Sequence, residues 1–180
     1  MPNIANNTKQ SVLLFSDAAT SPQTAIAVGA FLYLPENELQ LYDNCNFENL
    51  FFELTKKVNY LELASKKSTW SEIKTILSAI NIIHMNYGIN CPITVYTDCQ
   101  SLCDLVIRRK FKLQKNNFIT RAGKTLAHAE LYKELFSLVE KSFIQFIKVK
   151  GHNKRDQQLT LPEKIFILLD QLSRKKLRSL

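Results

Sequence analysis

Apolar residues dominate positions 11–17 (SVLLFSD) and 25–34, two runs separated by the turn-forming string TSPQT. Short apolar runs bounded by turn residues read as buried strands. Pro35-Glu36-Asn37 punctuates the second run, and 38–42 continues it as a third short strand or a loop. Residues 47–57 have the apolar spacing of a short helix, while 58–64 (VNYLELA) alternate roughly as a strand does. From Ser68 the period changes. Trp70, Ile73, Ile76, Leu77, Ile80, Ile83 and Tyr87 recur at helical spacing, Thr69-x-x-Glu72 has the form of a capping box, and Gly88 ends the segment. The β-branched run 93–97 predicts a strand, 100–109 has helical composition, and a basic loop fills 108–124. A long helix from about Lys124 to Lys141 leads into a strand over 143–150. Thr160-x-x-Glu163, with Pro162 in the first turn, opens a final amphipathic helix.

Antiparallel strands first and alternating units later predict an α/β fold: a mixed five-stranded sheet, its first three strands antiparallel, flanked by helices. The chain of 180 residues suits one domain and shows no internal repeat or linker, so 1–180 reads as a single unit with a flexible N-terminus over 1–10. Its longest nonpolar run, 25–34, is about half of what a membrane span needs. The opening MPNIANNTKQ lacks the apolar stretch of a signal peptide, so a cytoplasmic location and no membrane partner are expected. Cys45, Cys91, Cys99 and Cys103 form no CxxC pair, and no His is spaced to complete a zinc site. Reduced thiols are expected.

Charge changes the picture. The net charge is +8, and it is uneven. Arg108, Arg109, Lys110, Lys112, Lys115, Arg121 and Lys124 follow one another without an acid, and Lys141, Lys148, Lys150, Lys154 and Arg155 form a second such stretch. Arg174, Lys175, Lys176 and Arg178 close the chain. A single basic cluster is ordinarily a solvated surface. Three of them, with Phe111 and Phe118 inside the densest, favour nucleic acid as partner.

Four acids stand where such a fold would gather them. Asp17 closes the first strand, Asp98 closes the fourth, Glu72 sits in the first turn of the long helix, and Asp170 lies in the last helix after an apolar run. Each has an ordinary explanation alone. Asp98 can cap a helix, Glu72 can serve the capping box, Asp17 can begin a turn, and Asp170 can pair with Arg174 one helical turn on. Together they would set like charges side by side, which is costly unless cations hold them. Hard divalent cations take oxygen ligands, and two of them about 4 Å apart can activate a water and stabilise the leaving oxygen of a phosphodiester. The basic surface would hold the polyanion whose phosphate enters this acidic site.

The chain resembles the ribonuclease H family. The resemblance lies in Phe15-Ser16-Asp17-Ala18, Ser68-Thr69-Trp70-Ser71-Glu72, Tyr96-Thr97-Asp98-Cys99-Gln100-Ser101, Val149-Lys150-Gly151-His152 and Asp170-Gln171-Leu172-Ser173-Arg174, in that order over residues 11–178. It implies the ribonuclease H-like fold and hydrolysis of the RNA strand of an RNA–DNA hybrid with two Mg²⁺ ions, or Mn²⁺ in their place. By the family pattern Asp17 would bridge both ions, and Asp170 would help hold the ion that activates water. Glu72 and Asp98 would hold the ion facing the leaving 3′ oxygen, and His152 would assist proton transfer or product release. Ser68 and Thr69, at a helix N-terminus, would touch phosphate. The 108–124 segment, with Arg108, Arg109, Lys110, Lys112 and Lys115, lies where some members carry a hybrid-gripping protrusion. A monomer is expected.

Departures from the pattern are visible too. Ala18 stands where the family often has Gly, and Phe166, Ile167 and Leu169 precede Asp170 where smaller or polar residues are common. Asp156 lies nearer to His152 than Asp170 does, but in a polar stretch with no scaffold to aim it, so Asp170 is preferred. Residues 36–57 read as an insertion. Two other readings stand beside hybrid cleavage: a nuclease of the same fold on another nucleic acid, and a non-catalytic nucleic-acid-binding module.

Overall fold

The computed structural model describes residues 10–43, 45–150 and 159–180. Two ten-residue strands, β1 (Val12–Ser21) and β2 (Ile26–Pro35), form an antiparallel hairpin in which Asp17 pairs with Ala30. After Pro35 the chain turns helical, with α1 (Glu36–Leu39), a 3₁₀ turn (Gln40–Tyr42) and α2 (Phe47–Thr55). The expectation of a short strand or loop over 38–42 is therefore corrected. Pro35 lacks the N–H a ladder needs, and Glu36 and Glu38 suit the first turn of a helix. The Asn46 side chain accepts the Asn49 N–H at 2.8 Å and caps α2, which buries Leu50 and Leu54.

The edge strand β3 (Asn59–Ala64) pairs antiparallel with β2. The longest helix, α3 (Ser68–Tyr87), ends at Gly88, whose φ of +86° suits a residue without a Cβ. Its Ile73, Ile76, Ile80 and Ile83 are wholly buried, each stabilising the fold by about 1.5–3 kcal/mol relative to exposure. The expected capping box does not form. Lys67 occupies the N-cap position with no side-chain bond, and the Glu72 carboxylate is engaged elsewhere.

β4 (Ile93–Thr97) lies parallel to β1 and leads to α4 (Gln100–Asp104), a π turn (Leu105–Arg109) and α5 (Lys110–Lys115). The basic segment is thus helical as far as Lys115 rather than a loop from 108, because buried Leu102, Leu105 and Leu113 anchor it to the core. A turn at Gly123 and a bridge between Ile119 and Thr125 follow, which delays α6 (Ala129–Lys141) beyond its expected start at Lys124. β5 (Ile144–Lys148) pairs parallel to β4. The last helix, α7 (Leu161–Arg178), carries the expected capping box between Thr160 and Glu163.

The sheet order is β3-β2-β1-β4-β5, a mixed five-stranded sheet with helices on both faces. One apolar cluster joins the sheet to α3 and α6, and the other joins it to α2 and α7. Gly29 marks a close approach of α3 to β2, since a Cβ there would overlap the Thr75 side chain. All four cysteines are free thiols. Among the described residues no helix is long and apolar enough to cross a membrane.

Candidate metal centre

The parallel ladder between β1 and β4 stops at Phe15 opposite Tyr96, whose rings stack 4.7 Å apart. Two positions further on come Asp17 and Asp98, at the carboxyl end of the parallel pair. Asp17 does not close β1, as the sequence pattern suggests; β1 runs on to Ser21 because β2 continues to pair with it after β4 has ended. With no parallel neighbour there, the Ala18 N–H is available, and Glu72 Oε1 accepts it at 3.2 Å. α3 thereby delivers a third carboxylate, from its fifth residue, just past the first turn where the sequence pattern puts it.

Ligand oxygens of Asp17, Glu72 and Asp98 all lie within 4.8 Å of one another. Asp17 and Glu72 are 8% and 7% exposed, so the site withdraws charge from water. Burial, with added repulsion from Asp98 and Asp170, pushes the Asp17 carboxyl up to about 6 against the hydrogen bond from Ser173 that lowers it. Glu72 is held well above the usual carboxylate range, by burial first and then by Asp17 and Asp98. Its Oε2 is buried without a hydrogen-bond partner. An unpartnered buried carboxylate oxygen beside two further acids is an arrangement a hard divalent cation would relieve.

Asp170 reaches the same cavity, about 560 Å³ in volume, from α7. Its Oδ1 accepts the Arg174 Nε–H at 2.7 Å, and Ser173 Oγ donates to Asp17 Oδ2 at 2.7 Å. Arg174 and Arg178 line the cavity with it. His152 and the alternative acid Asp156 lie outside the described residues.

A second cleft of about 520 Å³ shares Ser68 with the acidic cavity and includes Lys67, Thr69, Arg109, His128 and Tyr132. Of the expected substrate contacts, it gathers Ser68, Thr69 and Arg109. Arg108 instead pairs with Asp104 at 3.3 Å and Lys110 with Glu140 at 3.1 Å, while Lys112 and Lys115 are exposed on α5. Sequence reasoning did not single out Ser173, Arg174, Arg178, Lys67 or Tyr132 as site residues. The four-residue spacing of 170, 174 and 178 places those three on one helix face and was the available signal. Nothing in the sequence announced that Lys67, His128 and Tyr132 would converge.

The RNase H family model matches residues 9–159. A curated ribonuclease H of Zymomonas mobilis is 30% identical over 93 residues, which cover 49% of this chain and 57% of the relative. The chain thus spans little more than half the length of that relative. Among solved structures, the foamy viral protease-reverse transcriptase in complex with RNA/DNA hybrid is similar with a TM-score of 0.67 at 13% identity, covering all of this chain and 22% of that one. The solution structure of the PFV RNase H domain gives 0.61 at 16% identity, covering 93% of each chain. At such identities the likeness is one of fold. It extends through α7, which lies beyond the family match. Because that match itself runs through all five strands and every helix up to α6, the chain belongs to the ribonuclease H family.

Proposed function

We propose that this chain hydrolyses the RNA strand of RNA–DNA hybrids, using two divalent cations held by Asp17, Glu72, Asp98 and Asp170. The observation that carries this reading is the packing of three carboxylates within 4.8 Å, with one buried oxygen left unpartnered. An all-oxygen donor set suits Mg²⁺ or Mn²⁺. Such a pair of ions, when bound, supplies an activated water on one side of the phosphodiester and charge neutralisation on the other.

The residues divide the work by position. Asp17 feels both Asp98 and Asp170, whereas Glu72 feels Asp17 and Asp98. By the family pattern Asp17 would help hold both ions, with Glu72 and Asp98 holding one and Asp170 the other, and the closeness of these charges is in keeping with that division. His152, four residues beyond the end of β5 in sequence, moves a proton to or from the reacting oxygens or eases product release. Ser68 joins the acidic cavity to the basic cleft, so the cut strand occupies the first while Thr69 and Arg109 receive phosphates in the second. The RNA strand is told from DNA by its 2′-hydroxyls. A complex with RNA/DNA hybrid is known for the foamy viral neighbour, in keeping with that substrate. Residues 1–180 would form one such domain, with 36–57 an insertion between strands.

Cleavage of a labelled hybrid in Mg²⁺, alongside duplex DNA, duplex RNA and single-stranded RNA, tests this with wild type and Asp98→Asn. Hybrid-only cutting that the variant loses is the expected result. Cutting of another substrate alone would overturn the substrate, and binding without cutting by either protein would overturn catalysis.

A further inference from the structure

Ser173 sits on α7 one turn beyond Asp170 and is 0% exposed. Its hydroxyl lies 2.7 Å from Asp17 Oδ2 and 3.1 Å from the Asp170 carbonyl oxygen of its own helix. A hydroxyl has one proton to give, and the shorter, charge-assisted contact to the carboxylate takes it. The bond joins residues 156 positions apart in the chain. The helix that carries it is fixed in rotation, because Ile165, Leu168 and Leu169 are buried against the sheet.

Asp17 has need of such a partner. The terminal torsion of an aspartate is broad, so its carboxylate plane is not set by the strand backbone. Asp98 and Asp170 both repel it, and of the two groups that stabilise it, the Ala18 backbone N–H acts less than the buried Ser173 hydroxyl. We propose that Ser173 is a positioning residue, whose hydroxyl holds the Asp17 carboxylate in the orientation that receives the divalent cations. This rests on the metal-dependent reading above. It goes beyond it in assigning a cation-affinity role to a residue that is not a ligand. Hydrogen-bond partners one step removed from a metal typically change its affinity about 10–100-fold when deleted.

The test is calorimetric titration of Mn²⁺ into the full chain without substrate, for wild type, Ser173→Ala and Ser173→Cys, each melted first to establish a cooperative fold. Cysteine keeps the side chain's shape but is a weak donor, so it decides the matter if the alanine variant does not fold. The expected result is about 10–100-fold weaker Mn²⁺ binding in folded variants. In cleavage assays the cation concentration for half-maximal rate should rise likewise. KM for the hybrid should stay unchanged, and kcat should recover at saturating metal. Equal Mn²⁺ affinity in wild type and a folded variant overturns the positioning role and leaves the metal reading standing. No Mn²⁺ binding by the wild type overturns the metal reading, and this role with it.

Discussion

Glu72 Oε1 accepts the backbone N–H of Ala18 at 3.2 Å, so the N-terminal part of α3 is tied to β1 beside Asp17. One oxygen of this carboxylate is thus structural, while Oε2 is buried and unpartnered. Glu72→Gln keeps an acceptor for Ala18 and removes a charge that burial and two neighbouring acids oppose. The metal-free variant should be more stable than wild type by on the order of 1 kcal/mol, or about 2–4 °C in Tm. Cleavage should fall by about 10²–10³-fold, since a bound cation contributes several kcal/mol to the transition state. Thermal melts with and without Mg²⁺, run beside the cleavage assay, check both signs. A variant less stable than wild type without metal would show that the charge is not opposed.

The metal-free protein should lose stability as pH rises. Asp17 titrates near 6 in the folded chain, above its ordinary value of 3.8, so between these values the native state holds more protons than the unfolded one. A raised carboxyl contributes stability that is fully present below the unfolded pKa and is lost as pH climbs through the folded one. Glu72 is shifted in the same direction. Denaturant melts at about pH 5 and about pH 7.5 should show wild type losing roughly 1 kcal/mol relative to Asp17→Asn. Millimolar Mg²⁺ should erase the loss at the higher pH, because ionised carboxylates are what a cation binds.

Neighbouring arginines should behave differently toward the hybrid. Arg109 lines the cleft that begins at Ser68, while Arg108 is paired with Asp104. Arg109→Gln is expected to weaken hybrid binding and to reduce the slope of log affinity against log salt by about one. Arg108→Gln should leave that slope nearly unchanged. Binding isotherms at several salt concentrations separate the two, and equal slopes would mean that the cleft does not meet phosphate.

Gly29→Ala probes how α3 is seated. An added Cβ would collide with Thr75, whose hydroxyl donates to the Ser71 carbonyl one residue before Glu72. A loss of about 1–3 kcal/mol in unfolding free energy is expected, with reduced cleavage as Glu72 is displaced. The double variant with Thr75→Ala should recover much of both.

The two opening strands, the long helix and the capped final helix were legible in the sequence because each is written in local periodicity and turn chemistry. The convergence of Asp17, Asp98 and Glu72 was legible because two strands and a helix meet at the carboxyl end of a parallel pair, although Asp17 lies within β1 and not at its end. What was hidden depended on distant partners. Thr69-x-x-Glu72 has the local form of a capping box, yet Ala18, far away in sequence, takes the carboxylate. The 108–124 segment looks like a loop by charge, yet Leu105 and Leu113 bury against the core and keep it helical to Lys115. The Ser173–Asp17 bond could not be read at all, since it requires knowing how α7 is rotated on the sheet.

Asp17 comes from the first strand, and Asp170 and Ser173 from the last helix. The acidic cluster is therefore stitched from the first strand and the last helix, and it is whole only after residues 156 positions apart have been brought together. Folding that begins in the β1–β2 hairpin and α3 would yield an acidic trio before it yields a complete site. On the proposed function, an incompletely folded molecule would gather nucleic acid on its basic helices and still be unable to cut it. The same closing step that finishes the core would also arm the chemistry.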